Sequence, residues 1–223
     1  MRINIAIDGP SGAGKSTVAK GLAKSLGIIH VDTGAMYRAV GLYMYENGIF
    51  PDDEEAVVGA LENVKIGLEF KDGVQHIYLN GKQVDSDIRT DTVSMYASRV
   101  SSIGKVRSFL LDTQRDIAKN NDVVMDGRDI GTVILPDAGL KIFMVANNEA
   151  RAKRRYKELI EKGENVTYEE VLSLMTKRDD NDKNRKIAPA VAAEDAILFD
   201  NTEYGLEESI QYVSDLAKKR FGL

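Results

Sequence analysis

The residues with the clearest chemical signature are Gly9-Pro10-Ser11-Gly12-Ala13-Gly14-Lys15-Ser16-Thr17, a G-x-x-x-x-G-K-S run between an apolar stretch and an amphipathic one. Phosphate oxygens need several converging N–H donors. Glycines let the backbone curl until its amides point inward, and a helix N-terminus adds its dipole. Lys15 then reaches the β- and γ-phosphates of a nucleotide, and the Ser16 hydroxyl serves a Mg²⁺ ion bridging them. Asp126 closes the apolar run Val123-Val124-Met125 and is the candidate to hold that Mg²⁺ directly or through water. Without a phosphate loop beside it, such an Asp reads as a turn residue.

The loop needs a strand before it and a helix after it, and both are legible. Short β-branched runs at 3–7, 28–31, 123–125, 141–145 and 196–199 read as five buried parallel strands. Val18, Ala19, Leu22, Ala23 and Leu26 recur at helical spacing, and Gly27 stops that helix. Helical patterns also fill 35–47, 91–120 with a break near Gly104, 149–162 and 206–220, and Thr167 with Glu170 forms a capping box. The result is an α/β fold with helices on both sheet faces. About ninety residues separate the second and third strands, more than one crossover needs. Within that gap, runs at 66–70, 75–79 and 82–84 are divided by Lys71-Asp72-Gly73 and Asn80-Gly81, which predicts a small antiparallel meander.

Composition sets the outer limits. A chain of 223 residues is one large domain, or one domain with an insertion, at roughly 150 residues per domain. Hydrophobic content of 43% with 29% charged residues suits a globular chain with a sizeable core. The net charge of -5 argues against a surface that coats a nucleic acid polymer. Without cysteine, thiolate nucleophiles, disulfides and cysteine zinc sites are excluded, and two histidines leave little for metal or triad chemistry. The short apolar N-terminus and the lack of any 18-residue apolar run give an expectation of a cytoplasmic protein that does not enter a membrane. Residues 151–186 nevertheless carry 11 Lys and Arg against 8 Asp and Glu, so the local field there favours anions.

A phosphate loop alone serves kinases, GTPase switches and motor ATPases. The guanine-reading N-K-x-D is absent, which weakens the switch reading, and Asp32-Thr33-Gly34-Ala35-Met36-Tyr37-Arg38 offers one wall of an acceptor pocket. At this motif, at Lys105-Val106-Arg107, at Asp126-Gly127-Arg128-Asp129-Ile130-Gly131-Thr132 and at Arg178-Asp179-Asp180-Asn181-Asp182-Lys183-Asn184-Arg185, the chain resembles the bacterial cytidylate kinases over nearly its whole length. Adenylate kinases carry D-G-F-P-R where this chain has Asp126-Gly127-Arg128-Asp129, which favours a pyrimidine acceptor.

The resemblance implies a three-layer P-loop kinase fold in a single domain spanning 1–223, with a monophosphate-binding subdomain at about 64–90 and a short basic lid at about 151–166. It implies transfer of the ATP γ-phosphoryl group to CMP or dCMP by a monomer. Thr33, Arg107 and Asp129 would read the base, Arg38, Arg128 and Arg185 would hold the acceptor α-phosphate, and Ser98, Arg178 and Asp182 would line the sugar. Cytosine's amino group donates to a carboxylate, whereas uracil's carbonyl would face acceptor with acceptor, so an ionised Asp129 oriented by Arg107 should prefer CMP. Lys15, Arg128 and Arg185 would carry the charge of the transfer. Arg151, Arg154 and Arg155 are candidates to reach the transferring phosphoryl on lid closure, and each could equally be a surface residue. Tyr37 and Tyr96 read as core more readily than as base platforms. The open alternatives are a kinase for another small acceptor, such as UMP or a metabolite, and a nucleotide-binding switch without an acceptor.

Overall fold

The structure is a computed structural model that describes residues 2–71, 73–161 and 163–223. In chain order the elements are β1 (Asn4–Asp8), α1 (Lys15–Leu26), β2 (Ile29–Asp32), α2 (Thr33–Glu46), α3 (Glu54–Ala60), β3 (Ile66–Lys71), β4 (Val74–Leu79), β5 (Lys82–Gln83), α4 (Asp91–Val100), α5 (Gly104–Asn120), β6 (Val123–Asp126), β7 (Leu140–Val145), α6 (Asn148–Glu161), α7 (Tyr168–Asn184), β8 (Ile197–Asp200) and α8 (Leu206–Phe221). A π-helical turn, Ile130–Ile134, follows β6.

Each of the five apolar runs forms a strand. They lie parallel in the order β2-β6-β1-β7-β8. Alternation along β1 serves both faces of the sheet: Ile5 and Ile7 pack with Val18 and Leu22 of α1 and Val213 of α8, whereas Ala6 joins Val31, Met125 and Ala118 on the other side. Leu22 is fully buried, and its truncation to Ala should cost roughly 2–5 kcal/mol. A third cluster joins Met36, Val40 and Met44 of α2 to Val93 and Val100 of α4 and to Ile77 and Leu79 of the meander.

The meander has the predicted strand order, β3-β4-β5. Its second turn is Asn80-Gly81, with φ of 50° and 85°, the left-handed pair that a tight hairpin requires. Asp72 of the first turn signal lies outside the described residues, as does Lys162 at the expected end of α6. The second helix begins two residues earlier than its apolar pattern suggests, because the Asp32 carboxylate accepts from the Ala35 amide and caps it. Helix α3 was not legible as a helix. It is seven residues long, too short to show a full amphipathic repeat, and it starts at a cap by Asp53.

The topology places the site. From β1 the chain fills one side of the sheet with β2 and β6, then crosses to build β7 and β8 on the other. Beta1 is therefore the switch point, and ligands in such sheets bind beyond the carboxyl ends of the strands there. In register, Asp126 stands opposite both Ile7 and Asp32, so Asp8, Asp126 and Asp32 gather at one edge.

Candidate active site

The phosphate loop leaves β1 through Gly9, whose φ is +143°. A Cβ there would stand 2.0 Å from the Met144 carbonyl oxygen on the neighbouring strand, so only glycine lets the loop pass so close. The loop is braced from outside. The Arg151 guanidinium donates to the Ser11 carbonyl at 2.7 Å, and Asn201 Nδ2 donates to the Ala13 carbonyl at 2.9 Å. Asp179 pairs with Arg151 and accepts from the Ser11 amide at 3.1 Å, which draws α7 onto the loop. Lys15 is buried, with Nζ donating to the Pro10 carbonyl at 2.8 Å. Burial, followed by the nearby Arg128 charge, brings its ammonium down to about 7.

Oxygen donors meet where α1 begins. Ser16 Oγ donates to Asp126 Oδ2 at 2.6 Å, and His30 Nε2 lies 2.6 Å from Asp126 Oδ1. Thr33 Oγ1 donates to the Asp126 main-chain carbonyl at 2.8 Å. Asp8 accepts the Ile130 and Gly131 amides, one on each carboxyl oxygen, both at 2.8 Å. Burial pushes its carboxyl up to about 6 despite those two bonds. Asp8, His30 and Asn201 are site residues that sequence reasoning missed. Asp8 ends a strand as Asp126 does, so the same signal was available. His30 and Asn201 reach the site only through strand register and packing.

The second half of the site is a lattice of arginines and carboxylates. Asp32 accepts from Arg38 at 2.9 Å and Arg89 at 3.1 Å. Burial acts to raise its carboxyl, but the two guanidiniums prevail and hold it at about 2. Gln75 of β4 accepts from the Asp32 amide at 2.9 Å and so ties the meander to β2. Asp129 lies between Arg107, its close partner, and Arg185 at 3.1 Å. The Arg107 guanidinium also sits over the Tyr37 ring, 5.7 Å from its centroid. Arg128 Nε donates to Asp182 at 2.9 Å.

Not every donor in this lattice is satisfied. Arg38 Nε and Arg178 Nε are buried without an acceptor among the described residues. Burial, and then the Arg128 charge, lowers the Arg178 guanidinium to about 10. The Arg128 charge acts on Lys15, Arg38 and Arg178, and Arg178 lies close enough to act on Lys15 and to feel Arg38. Such a gathering of cations with idle donors suits a multiply charged anion, and the planar guanidinium forks suit phosphate oxygens.

The expected site residues mostly converge here. Lys15, Asp126, Thr33, Arg38, Arg107, Arg128, Asp129, Arg178, Asp182 and Arg185 are joined by hydrogen bonds, ion pairs or charge interactions into one network, and the loop from Gly9 to Thr17 enters it through Lys15 and Ser16. Ser98 is half-buried on α4, and no hydrogen bond ties its hydroxyl to the lattice among the described residues. The three arginines of α6 separate. Arg151 is buried under the loop, Arg154 donates to the Asn201 carbonyl at 2.8 Å, and Arg155 bridges Asp91 and Glu158. Tyr37 and Tyr96 pack with the apolar cluster of α2, as their spacing suggested.

Among the described residues no helix is long and apolar enough to cross a membrane, and no three His, Asp or Glu side chains group as a metal site. A model of the cytidylate kinase family matches residues 5–219. A cytidylate kinase of Caldicellulosiruptor bescii is 52% identical over 98% of this chain and 96% of its own. One of Thermosipho melanesiensis is 51% identical over 99% of both chains. Among solved structures, an uncharacterised protein of Eubacterium ventriosum shares the fold, with a TM-score of 0.53 at 13% identity over 98% of this chain and 99% of its own. With phosphate loop, arginine lattice and meander all inside the matched span, the chain belongs to the cytidylate kinase family.

Proposed function

We propose that the protein transfers the γ-phosphoryl group of ATP to CMP or dCMP, giving ADP and CDP or dCDP. The observation that carries the reading is the cluster of Lys15, Arg38, Arg128 and Arg178, with buried idle donors, between a phosphate loop and the Arg107–Asp129 pair. The loop from Gly9 to Thr17 cradles the ATP phosphates. Arg38, Arg128 and Arg185 take the acceptor α-phosphate, Ser98, Arg178 and Asp182 its sugar, and Thr33, Arg107 and Asp129 its base. Arg185 now pairs with Asp129, so base and phosphate recognition share a residue.

Chemically, an acceptor phosphate oxygen bonds to the γ-phosphorus while the bond from that phosphorus to the β–γ bridging oxygen breaks, and the electron pair leaves on ADP. The acceptor oxygen is already anionic at neutral pH, so no side-chain base is needed. The protein supplies position and charge neutralisation through Lys15, Arg128 and Arg185. Two dianionic phosphates repel, and paired guanidinium N–H bonds offset that repulsion. The Ser16 hydroxyl and Asp126 carboxylate, 2.6 Å apart, fit Mg²⁺, a hard ion that takes one or two protein oxygens beside substrate phosphates and water. When bound, Mg²⁺ neutralises phosphate charge during transfer.

The chain acts as one domain, with the meander at about 64–90 as the monophosphate-binding subdomain, linked to β2 by Gln75, and the basic segment at about 151–166 as a lid that excludes water. A monomer working in the cytoplasm completes the reading. The test is a coupled assay of ADP release from MgATP with CMP, dCMP, UMP, AMP, GMP and shikimate, repeated with Asp129→Ala. CMP and dCMP should lead, and Asp129→Ala should shrink that lead over UMP. A lead for UMP or AMP would remove the base-reading roles of Thr33, Arg107 and Asp129.

A further inference from the structure

His30 is buried, sits outside every phosphate-binding motif, and touches the carboxylate proposed to hold the metal. Its position follows from sheet register. On β2 it pairs with Val124 while Asp32 pairs with Asp126, and alternation puts His30 and Asp32 on the same face. The ring leans toward the strand end, and Nε2 reaches Asp126 Oδ1 at 2.6 Å with both side chains at most 5% exposed. An acceptor-only carboxylate requires the Nε2 atom to carry the proton. Asp126 Oδ2 is thereby left for Ser16 Oγ, also at 2.6 Å.

We infer that His30 is a positioning residue that fixes the Asp126 carboxylate for Mg²⁺, an inference that rests on the reading of Ser16 and Asp126 as the metal-holding pair. Ser16 is itself a ligand in that reading, so its hydrogen bond cannot be what orients Asp126 once the ion is present. Among the described residues, His30 is then the side-chain donor that remains on Asp126. A carboxylate with one oxygen pinned has one orientation, and partners of this kind typically change metal affinity by 10–100-fold. The competing view is a core histidine whose N–H happens to be satisfied.

The experiment is an EPR titration of Mn²⁺ into the enzyme–ADP complex for the natural protein, His30→Leu, His30→Gln and Asp126→Ala, with circular dichroism and ADP affinity in EDTA as controls. His30→Leu should weaken Mn²⁺ binding about 10-fold, leave ADP affinity in EDTA unchanged and raise the Mg²⁺ needed for half-maximal turnover. His30→Gln, which keeps an N–H donor, should recover most of the affinity. Equal Mn²⁺ binding by folded His30→Leu and the natural protein, with Asp126→Ala impaired, overturns the role of His30 alone. Unimpaired binding by Asp126→Ala overturns the metal reading and the inference with it. If His30→Leu does not fold, His30→Met takes its place, and failure of both to fold overturns the inference in favour of a core histidine.

Discussion

The two halves of the site are built on opposite plans. The phosphate loop is nine consecutive residues that offer main-chain amides, and Arg151 and Asn201 only brace it from behind. The arginine lattice draws Arg38, Arg89, Arg107, Arg128, Arg178 and Arg185, with Asp32, Asp129 and Asp182, from stretches far apart in sequence. A site made of backbone depends on local conformation, so its glycines are fixed by positive φ and close approach, and beyond them only Lys15 and Ser16 bring a side chain to the chemistry. One made of opposed buried charges depends on every partner, since removing one leaves another uncompensated.

The contrast can be broken first at Lys15, the one charged side chain of the loop. Lys15→Ala should reduce turnover by about 10²–10³-fold, while thermal melting shows little loss of stability, because the lysine is buried at a cost to its charge. Undiminished turnover in the folded variant would remove the loop from the chemistry. On the other side, Asp129→Ala strands Arg107 and Arg185. It should lower stability by about 3 kcal/mol in urea titration and reduce the CMP over UMP preference by about tenfold.

A third test concerns protons. The Lys15 ammonium lies at about 7 in the free protein against 10.5 in its ordinary state, so the unfolded chain binds more protons across that window and this group's contribution to stability rises with pH there. Nucleotide phosphates should restore its charge. Calorimetry of ADP binding in buffers of different ionisation enthalpy should show uptake of close to one proton at about pH 8 and almost none at about pH 6, and Lys15→Ala should abolish the difference. The smallest effect belongs to Thr33→Ser, which keeps the hydroxyl donated to the Asp126 carbonyl. It should change kcat/KM for CMP by less than about fivefold, the loss of a methyl being worth about 1 kcal/mol or less.

The same contrast explains what could be read in advance. Loop, strands and meander were legible because their signals are contiguous: Gly9 to Ser16, the β-branched runs, and Asn80-Gly81 with its paired positive φ. The arginine lattice became legible only through resemblance to a family, since no local pattern says that Arg107 and Arg185 will share Asp129. His30 stayed hidden because its meaning depends on the register of β2 against β6. The three arginines of α6 look interchangeable in sequence, but Arg151 reaches under the loop and Arg155, one turn further along the helix, reaches α4.

Asp8 joins the two plans. It directly precedes the phosphate loop, and its two oxygens hold the amides of the residues that directly follow Asp129. The span between the donor cradle and the acceptor end is thus set by one short rigid linkage. Anyone redesigning this scaffold for a different base can rebuild the pocket beyond that linkage, around Thr33, Arg107 and Asp129, while the spacing between the two nucleotides stays calibrated.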